Sequence, residues 1–405
     1  MKCGLLGKTL GHSYSPYIHS FLGEYSYELF EKQPEELERF LKSGDFVGLN
    51  VTMPYKKDVI PYCGELTDCA KKLGAVNTLV RRADGKLIGH NTDYFGFQSM
   101  VARSGLRVSG KKALVLGSGG ASATAIAVLQ ELGAEVIVIS RTGRNSYDNI
   151  ALHSDAHIIV NATPVGMYPH AGVSPVDVSA FPMLEGVLDI VYNPARTKLM
   201  LDAEARGIPA ENGLWMLVSQ AKEASEWFTG RKIKDDVIAE IYGKMCIKTA
   251  NIVLIGMPGC GKSTIGKQLS TMTGKQLVDI DAEIERTACM TIPEIFAKHS
   301  EDHFRKLETQ MLAEFGQKSS LIIATGGGCV TRDENYPLLH QNGTIYWIQR
   351  DISELPTDGR PLSQANKLQE MYSARKPLYE RFADKVVTNN GTAQQAADEI
   401  AKGWL

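Results

Sequence analysis

A chain of 405 residues has room for two or three domains, and 43% hydrophobic with 22% charged residues is the make-up of a folded globular protein with an ample core. A net charge of −2 at pH 7 argues against the basic field that nucleic acid or an anionic membrane would need. The seven cysteines, Cys3, Cys63, Cys69, Cys246, Cys260, Cys289 and Cys329, form no CxxC pair and no Cys/His cluster, so neither a zinc site nor a disulfide framework is indicated, and their odd number suits a reducing compartment.

No apolar run reaches membrane-spanning length, and the N-terminal MKCGLLGKTLGHS lacks the apolar centre of a signal peptide. The cytoplasm is the expected location. Residues 1 to about 92 alternate short strands with helices. Strands are expected over 3–6, 46–51, 75–80 and 87–90, and helices over 16–22 and 34–41. Ala83-Asp84-Gly85 is a hairpin turn signal between the last two strands. The alternation indicates an α/β domain.

Several polar clusters punctuate that domain. Gly11-His12-Ser13-Tyr14-Ser15-Pro16 sets two hydroxyls on a loop before a helix, and on sequence physics alone Ser15 is its N-cap, with Pro16 at the first helical position. Asn50-Val51-Thr52-Met53-Pro54-Tyr55-Lys56 closes a strand in polar groups, and a lone Lys56 reads first as a solvated charge. Ala75-Val76-Asn77-Thr78 and Asn91-Thr92-Asp93 bring further amides, hydroxyls and a carboxylate to strand ends. Ligands of open α/β sheets bind beyond the carboxyl ends of the strands. Three such ends suit a hydroxylated small molecule.

Residues 111–191 carry a βαβ rhythm: a strand over 112–116, the turn Gly117-Ser118-Gly119-Gly120-Ala121-Ser122, an apolar-faced helix over 121–132, and strands over 135–139, 157–160 and 187–191. Ser122 stands where the dinucleotide fingerprint has its third glycine. The second strand ends in Ser140-Arg141-Thr142-Gly143-Arg144, with no acid for a ribose hydroxyl and two arginines for a phosphate, which favours NADP over NAD. Asn161-Ala-Thr163-Pro-Val-Gly166-Met167 and Asp189-Ile-Val-Tyr192-Asn193-Pro194 end the next strands. The helix opened by Asn212-Gly213-Leu-Trp-Met216 carries Gln220 as the odd polar member of its face.

On these motifs residues 1 to about 245 resemble shikimate dehydrogenase: GHSYSP, NVTMPYK, AVNT, HNTD, GSGGAS, SRT, NATPVGM, DIVYNP and NGLWMLVSQA occur in order. The resemblance implies that Ser13, Ser15, Thr52, Asn77, Asp93, Tyr192 and Gln220 bind shikimate, that Lys56 and Asp93 are the catalytic pair, and that both contact the substrate. It implies NADP contacts from Gly117, Ser118, Gly119, Gly120, Ala121, Ser140, Arg141, Thr142, Arg144, Asn161, Thr163, Gly213 and Met216. It reassigns Ser13, Ser15 and Lys56 from cap and surface roles. Two positions differ from the family: Ala123 stands where an arginine is common, and in the basic loop Ser140 replaces Asn while Arg144 falls one residue early.

The junction, 241–250, has no Gly/Ser-rich or Pro-rich stretch; a helix is expected to end near Gly243, leaving about seven residues before the next strand. That strand, Ile252–Ile255, runs into Gly256-Met-Pro-Gly259-Cys260-Gly261-Lys262-Ser263, the G-x-x-x-x-G-K-[ST] pattern of a phosphate-binding loop. Glycines let backbone N–H groups face phosphate oxygens, Lys262 offers a point charge, and Ser263 can ligate Mg²⁺. Downstream come Asp279-Ile-Asp281, Phe304-Arg305-Lys-Leu-Glu308, Gly326-Gly327-Gly328, Arg360-Pro361-Leu362 and Arg375-Lys-Pro377-Leu378-Tyr379.

From Asn251 onward the chain resembles shikimate kinase. The resemblance implies ATP contacts from Gly256, Gly259, Cys260, Gly261, Lys262, Ser263, Thr264 and Arg360, and Mg²⁺ at Ser263 and Asp279. It implies shikimate contacts from Asp281, Arg305, Gly326, Gly327, Gly328 and Arg375, with Lys262, Asp281 and Arg360 catalytic and Arg360 on a lid. The lid segment before Arg360 is shorter than usual and carries Pro356; Ser300 replaces a common glycine.

The expectation is therefore α/β throughout: an N-terminal α/β substrate domain (1–98 and 213–245), a Rossmann NADP domain (99–212) and a P-loop NTPase, nucleoside-monophosphate-kinase-like domain (251–405). The implied activities are NADPH-dependent reduction of 3-dehydroshikimate to shikimate and ATP- and Mg²⁺-dependent phosphorylation of shikimate. The alternatives are a quinate-preferring dehydrogenase joined to the kinase, and a module that senses shikimate or nucleotide without turnover. Expected partners are small molecules, not nucleic acid or membrane, with the chain a monomer or homodimer.

Overall fold

The computed structural model describes residues 1–11, 13–355 and 365–404. It divides into two compact units: Met1–Val165, Ser174–Tyr192 and Asp202–Met245 in the first, and Gly166–Val173, Asn193–Leu201 and Cys246–Leu405 in the second.

The first unit opens with β1 (Lys2–Gly7), α1 (Ser15–His19), β2 (Ser26–Glu31), α2 (Pro34–Ser43), β3 (Gly48–Val51), β4 (Cys63–Leu66), α3 (Asp68–Leu73), β5 (Thr78–Arg81) and β6 (Leu87–His90). These strands make one six-stranded sheet in the order β2-β1-β3-β5-β6-β4. It is mixed: β1 pairs in parallel with β2 and β3, whereas β5 runs antiparallel to β3 and β6. The β5–β6 hairpin turns where expected, with Gly85 at φ +82° and the Asp84 carboxylate accepting from the Lys86 N–H. Leu6, Leu49, Val51, Tyr55, Val76 and Leu79 fill its core.

Helix α4 (Asp93–Ser104) leads into β7 (Lys112–Leu116), α5 (Gly120–Glu131), β8 (Glu135–Ile139), β9 (Ile158–Asn161), β10 (Gly186–Asp189), α6 (Lys198–Glu204), β11 (Ala210–Asn212) and α7 (Leu214–Thr229). The second sheet is wholly parallel, in the order β11-β10-β9-β7-β8. Its central strands read as unbroken apolar runs because both faces are covered, and β9 and β10 are buried along their whole length.

Two expectations about helix ends are corrected. Ser15 does not cap α1: it is the first helical residue, Tyr14 holds the cap position, and the Ser15 N–H donates instead to the Ser13 hydroxyl at 3.2 Å. Nor does a helix end at Gly243. Helix α8 (Asp236–Thr249) runs through it, and only Ala250 separates α8 from the next strand. The end of α8 is closed from a distance: Lys275 Nζ donates to the carbonyls of Ile247, Lys248 and Ala250 at 2.9, 3.2 and 2.9 Å. A cation on the last carbonyls takes the place of a C-terminal glycine.

The second unit contains β12 (Asn251–Ile255), α9 (Lys262–Thr273), β13 (Gln276–Asp279), α10 (Ile280–Ala288), α11 (Ile292–Lys298), α12 (Glu301–Gly316), β14 (Leu321–Ala324), α13 (Asn335–His340), β15 (Gly343–Gln349), α14 (Ala365–Phe382), β16 (Lys385–Thr388) and α15 (Ala393–Ala401). Its five parallel strands lie in the order β13-β14-β12-β15-β16, so the first strand, β12, is central and fully buried. The loop after a central parallel strand opens at the carboxyl edge, where ligands bind. No helix among the described residues is long and apolar enough to cross a membrane.

Candidate active sites

In the first unit the polar strand ends converge. Ser13, Ser15, Thr52, Lys56, Asn77, Asp93, Tyr192 and Gln220 all line one cavity of about 270 Å³, together with Gly213, Met216 and the unexpected Asn50. β3 delivers Asn50 and the loop behind it Thr52 and Lys56; β5 is preceded by Asn77; α4 begins at Asp93; α7 supplies Met216 and Gln220. Lys56 Nζ donates to Asp93 Oδ2 at 2.6 Å, with both side chains partly shielded. A charge-assisted bond of that length holds the ammonium at the cavity wall.

The turn after β7 has the shape the glycine pattern calls for. Gly117 takes φ +112°, a conformation that side chains resist, and a Cβ there would stand 3.0 Å from Thr163. Ser118, Gly119, Gly120 and Ala121 follow at the N-terminus of α5, and added Cβ atoms at Gly119 and Gly120 would meet nothing within 4 Å among the described residues. That open backbone at a positive helix end fits a pyrophosphate. Ser122, where a third glycine is usual, is fully buried and donates its hydroxyl to the Gly117 carbonyl at 2.7 Å, so it tightens the turn. Ser140, Arg141, Thr142 and Arg144 form the turn after β8; the Ser140 hydroxyl bonds the Thr142 carbonyl, and both arginines are exposed.

Asn161 departs from expectation. It is wholly buried, its Nδ2 donates to Val165 O and Asp189 Oδ1, and its Oδ1 accepts from the Thr163 N–H and hydroxyl. No valence of its amide is left for a nucleotide. Asn161 and Thr163 shape the loop that faces Gly117.

In the second unit a cavity of about 450 Å³ is lined by Gly259, Gly261, Lys262, Ser263, Thr264, Asp279, Asp281 and Gly327. Gly256 lies beneath the loop at φ +144°. Lys262 Nζ is buried against the loop's own carbonyls, Gly256 O at 2.8 Å and Met257 O at 3.0 Å. Cys260 is not on the wall: its side chain is buried and its N–H donates to Met257 O. Asp279 caps α10 through Oδ1 and accepts the Ser263 hydroxyl on Oδ2 at 2.6 Å. A hydroxyl and a carboxylate this close suit Mg²⁺, which takes few protein ligands beside phosphate oxygens.

Around Asp281 the charges crowd. Burial pushes its carboxyl above the ordinary carboxylate range, against the pull of Lys262 and Arg305. Its Oδ1 and Glu308 Oε1 are both buried without a hydrogen-bond partner among the described residues. Both face Gly326, where a Cβ would come within 2.8 Å of the first and 2.5 Å of the second. Gly328 is glycine for a visible reason: the Arg305 guanidinium occupies the space of its absent side chain, 2.1 Å from where a Cβ would stand. Arg375 on α14 donates to Gly327 O at 3.1 Å, and the Tyr379 hydroxyl donates to the same carbonyl. Arg360 lies outside the described residues.

Glu308 and Asn389 are among the residues with no role assigned from sequence. Glu308 is fully buried and grips Arg305 NH1 at 2.7 Å; its spacing of three from Arg305 on one helix is the signal that could have found it. Asn389, after β16, donates to Cys260 O at 2.8 Å and closes the phosphate loop from outside. That contact joins positions 129 residues apart, so no local pattern announces it.

Comparison with known proteins finds two families along the chain. The family model for shikimate kinase matches residues 258–403, and that for the shikimate dehydrogenase substrate binding domain matches residues 5–79. The NADP⁺-dependent shikimate dehydrogenase of Caldicellulosiruptor bescii is 37% identical over 272 residues, 59% of this chain and 93% of that protein. Among solved structures, shikimate dehydrogenase 1 of Peptoclostridium difficile is 36% identical with a TM-score of 0.55, covering 60% of this chain and 97% of that one. The shikimate 5-dehydrogenase of Thermus thermophilus, in complex with NADP(H) and shikimate, is 31% identical with a TM-score of 0.55, covering 60% and 98%.

Proposed function

Because the chain belongs to the shikimate dehydrogenase family and carries a shikimate kinase domain behind it, we propose that its two cavities act on the same metabolite in succession, the first through Lys56 and Asp93, the second through Lys262, Asp281 and Arg305. The chain is a bifunctional enzyme of the shikimate pathway, reducing 3-dehydroshikimate to shikimate and phosphorylating shikimate. The observation that carries the residue assignment is the 2.6 Å Lys56–Asp93 pair set in a cavity walled by hydroxyls and amides.

NADPH, when bound, supplies the hydride. The ketone oxygen then gains negative charge, and the Lys56 ammonium both stabilises it and gives it a proton, so the products are an alcohol and a neutral lysine. Asp93 holds Lys56 in place through their 2.6 Å bond. The open turn after β7 and the exposed Arg141 and Arg144 are where the cofactor's phosphates would rest.

ATP with Mg²⁺ supplies the phosphoryl group in the second reaction. Asp281 takes the proton of the attacking hydroxyl, a task helped by the raised basicity that burial gives it. Arg305 and Arg375 grip the substrate carboxylate, the first steered by Glu308. Lys262 meets the terminal phosphates and Ser263 with Asp279 the metal. The proposal includes a cytoplasmic location, supported by seven cysteines all in the free state, and a monomer or homodimer without nucleic-acid or membrane partners.

The test is coupled turnover by the purified chain. NADPH oxidation should depend on 3-dehydroshikimate, and ADP release on shikimate; a chain that binds both nucleotides and turns over neither would overturn the proposal.

A further inference from the structure

The wall of the first cavity contains a chain of hydrogen bonds whose two amides are anchored by backbone groups. The Thr92 backbone N–H donates to Asn77 Oδ1 at 2.7 Å. A backbone N–H can only donate, so that end of the amide is oxygen. The Thr78 hydroxyl stands 3.0 Å from the same atom and 3.2 Å from the Thr92 hydroxyl; given to the nearer Asn77 oxygen, its proton fills the second lone pair there. Thr78, having spent its proton, accepts from Asn50 Nδ2 at 3.4 Å, and Asn50 Oδ1 accepts from the Tyr27 hydroxyl at 2.7 Å.

The Thr92 hydroxyl lies 3.2 Å from the Asn77 oxygen, 3.2 Å from the Thr78 hydroxyl and 3.3 Å from Gln220 Oε1; giving its proton to Gln220 is the one arrangement in which each amide oxygen receives a hydroxyl. Gln220 is anchored independently, because its Nε2 donates to the Leu217 carbonyl at 2.9 Å and a carbonyl can only accept. Both amides are thus oriented by backbone groups, with threonine hydroxyls filling the remaining places. Asn77, Thr78 and Thr92 are at most 3% exposed, so water does not compete for these bonds. Thr92 also holds the N-cap position of α4 but makes no side-chain cap bond. Its hydroxyl serves the cavity and not the helix.

We propose that Thr92 and Thr78 are positioning residues that lock Asn77 and Gln220 with their N–H groups toward the ligand, so that this wall accepts only groups offering lone pairs, the hydroxyl or carboxylate oxygens of a polyol acid. The inference rests on reading the first cavity as the dehydrogenase site. A Thr→Val change keeps the shape and deletes the proton. Asn77 then loses a partner in the case of Thr78, and Gln220 in the case of Thr92, and each amide gains freedom to turn.

The test uses the full chain with shikimate and NADP⁺ as substrates, comparing Thr92→Val, Thr92→Ser and Thr78→Val. The Val variants should raise KM for shikimate about tenfold, the worth of one buried hydrogen bond, with kcat within about threefold and KM for NADP⁺ unchanged. Thr92→Ser, which keeps the hydroxyl, should stay within about twofold of the parent. Phosphorylation by the same preparations checks that the chain is intact. If T92V proves insoluble, T78V is judged by the same numbers. Unchanged KM in the Val variants, or a Ser variant as impaired as T92V, would overturn the inference. A parent chain that fails to reduce NADP⁺ with shikimate sinks the dehydrogenase reading itself, before any variant is compared.

Discussion

In the first cavity the amides at the wall have their bonds made: Asn77 and Gln220 are tied to Thr92 and Leu217. At the second, Asp281 on the wall and Glu308 behind it each keep a buried oxygen without a partner among the described residues, and both carboxyls are pushed upward by burial. An unpartnered buried polar atom costs about 1–3 kcal/mol, a cost natural proteins tolerate chiefly where chemistry uses it. The contrast follows the reactions. A ketone reduction asks the protein to hold a polyol still and deliver one proton from a lysine. A phosphoryl transfer asks it to take a proton from an unactivated hydroxyl, which needs a carboxylate more basic than a solvated one.

The sharpest way to break the contrast is to remove one lysine from each cavity. Lys56→Ala should lower kcat of the reduction by about 10³ and leave ADP release intact, and Lys262→Ala should do the converse. Rates of both half-reactions on the same two preparations decide it. A Lys56→Ala chain keeping more than a tenth of its turnover would remove the acid role from that residue.

Asp281→Asn should lower kcat of phosphorylation by about 10². Because burial raises the Asp281 carboxyl, the parent's phosphorylation rate should decline with falling pH while still above the usual carboxylate range. The base must be ionised to act, so the rate is present above its pKa and lost below it. The variant should lack that limb. An unchanged pH profile in Asp281→Asn would assign the proton acceptor elsewhere.

Many of the strands, the phosphate loop and most of the residues lining the two cavities could be read along the chain because their cues are local, glycines at turns and hydroxyls and carboxylates at strand ends, whereas β2, β4 and β11 are not among the expected strands. Failures have a common cause. Gly243 reads as a helix stop, but nothing local reveals that Lys275, folded in from beyond the next helix, supplies the cap six residues later. Asn161 reads as a ligand residue because it ends a strand in the right place, yet Asp189, on the neighbouring strand, consumes its amide. Asn50 and Thr92 sit inside recognised motifs, but their hydrogen-bond roles depend on partners from other elements, Tyr27 and Gln220. Arg360 falls outside the described residues.

Acid should separate the halves further. His19 is fully buried between Tyr25, which bonds its Nδ1 at 2.7 Å, and the stacked ring of Tyr27 at 3.9 Å; burial lowers its pKa to about 3. The unfolded chain takes up this proton near pH 6.5 and the folded chain does not. Its contribution is complete above about pH 6.5 and is lost as pH falls toward 3, by about 1.4 kcal/mol per unit. His90, lowered to about 4 by burial, adds to the same slope. The urea midpoint of the first unit, followed by its own loss of activity, should fall from about pH 6.5 to about pH 4.5. His19→Phe should start lower at about pH 7 and fall less steeply; an equal slope would mean that His19 is not the group responsible.

The smallest effect belongs to the exposed turn after β8. Arg141 and Arg144 stand in water, where a phosphate contact contributes on the order of 1 kcal/mol and is screened by salt. Arg141→Ala should therefore raise KM for NADPH about fivefold to tenfold at low ionic strength and leave KM for NADH unchanged, since only the former carries the 2′-phosphate. The backbone of Arg144 is pinned by Asn149 Nδ2 on its carbonyl at 2.9 Å, which fixes where that side chain starts. If Arg144→Ala matches Arg141→Ala and the double variant doubles the loss in free energy, both arginines hold the phosphate. If NADH and NADPH suffer equally, the turn contributes general shape, and selection of the cofactor must come from another part of the first unit.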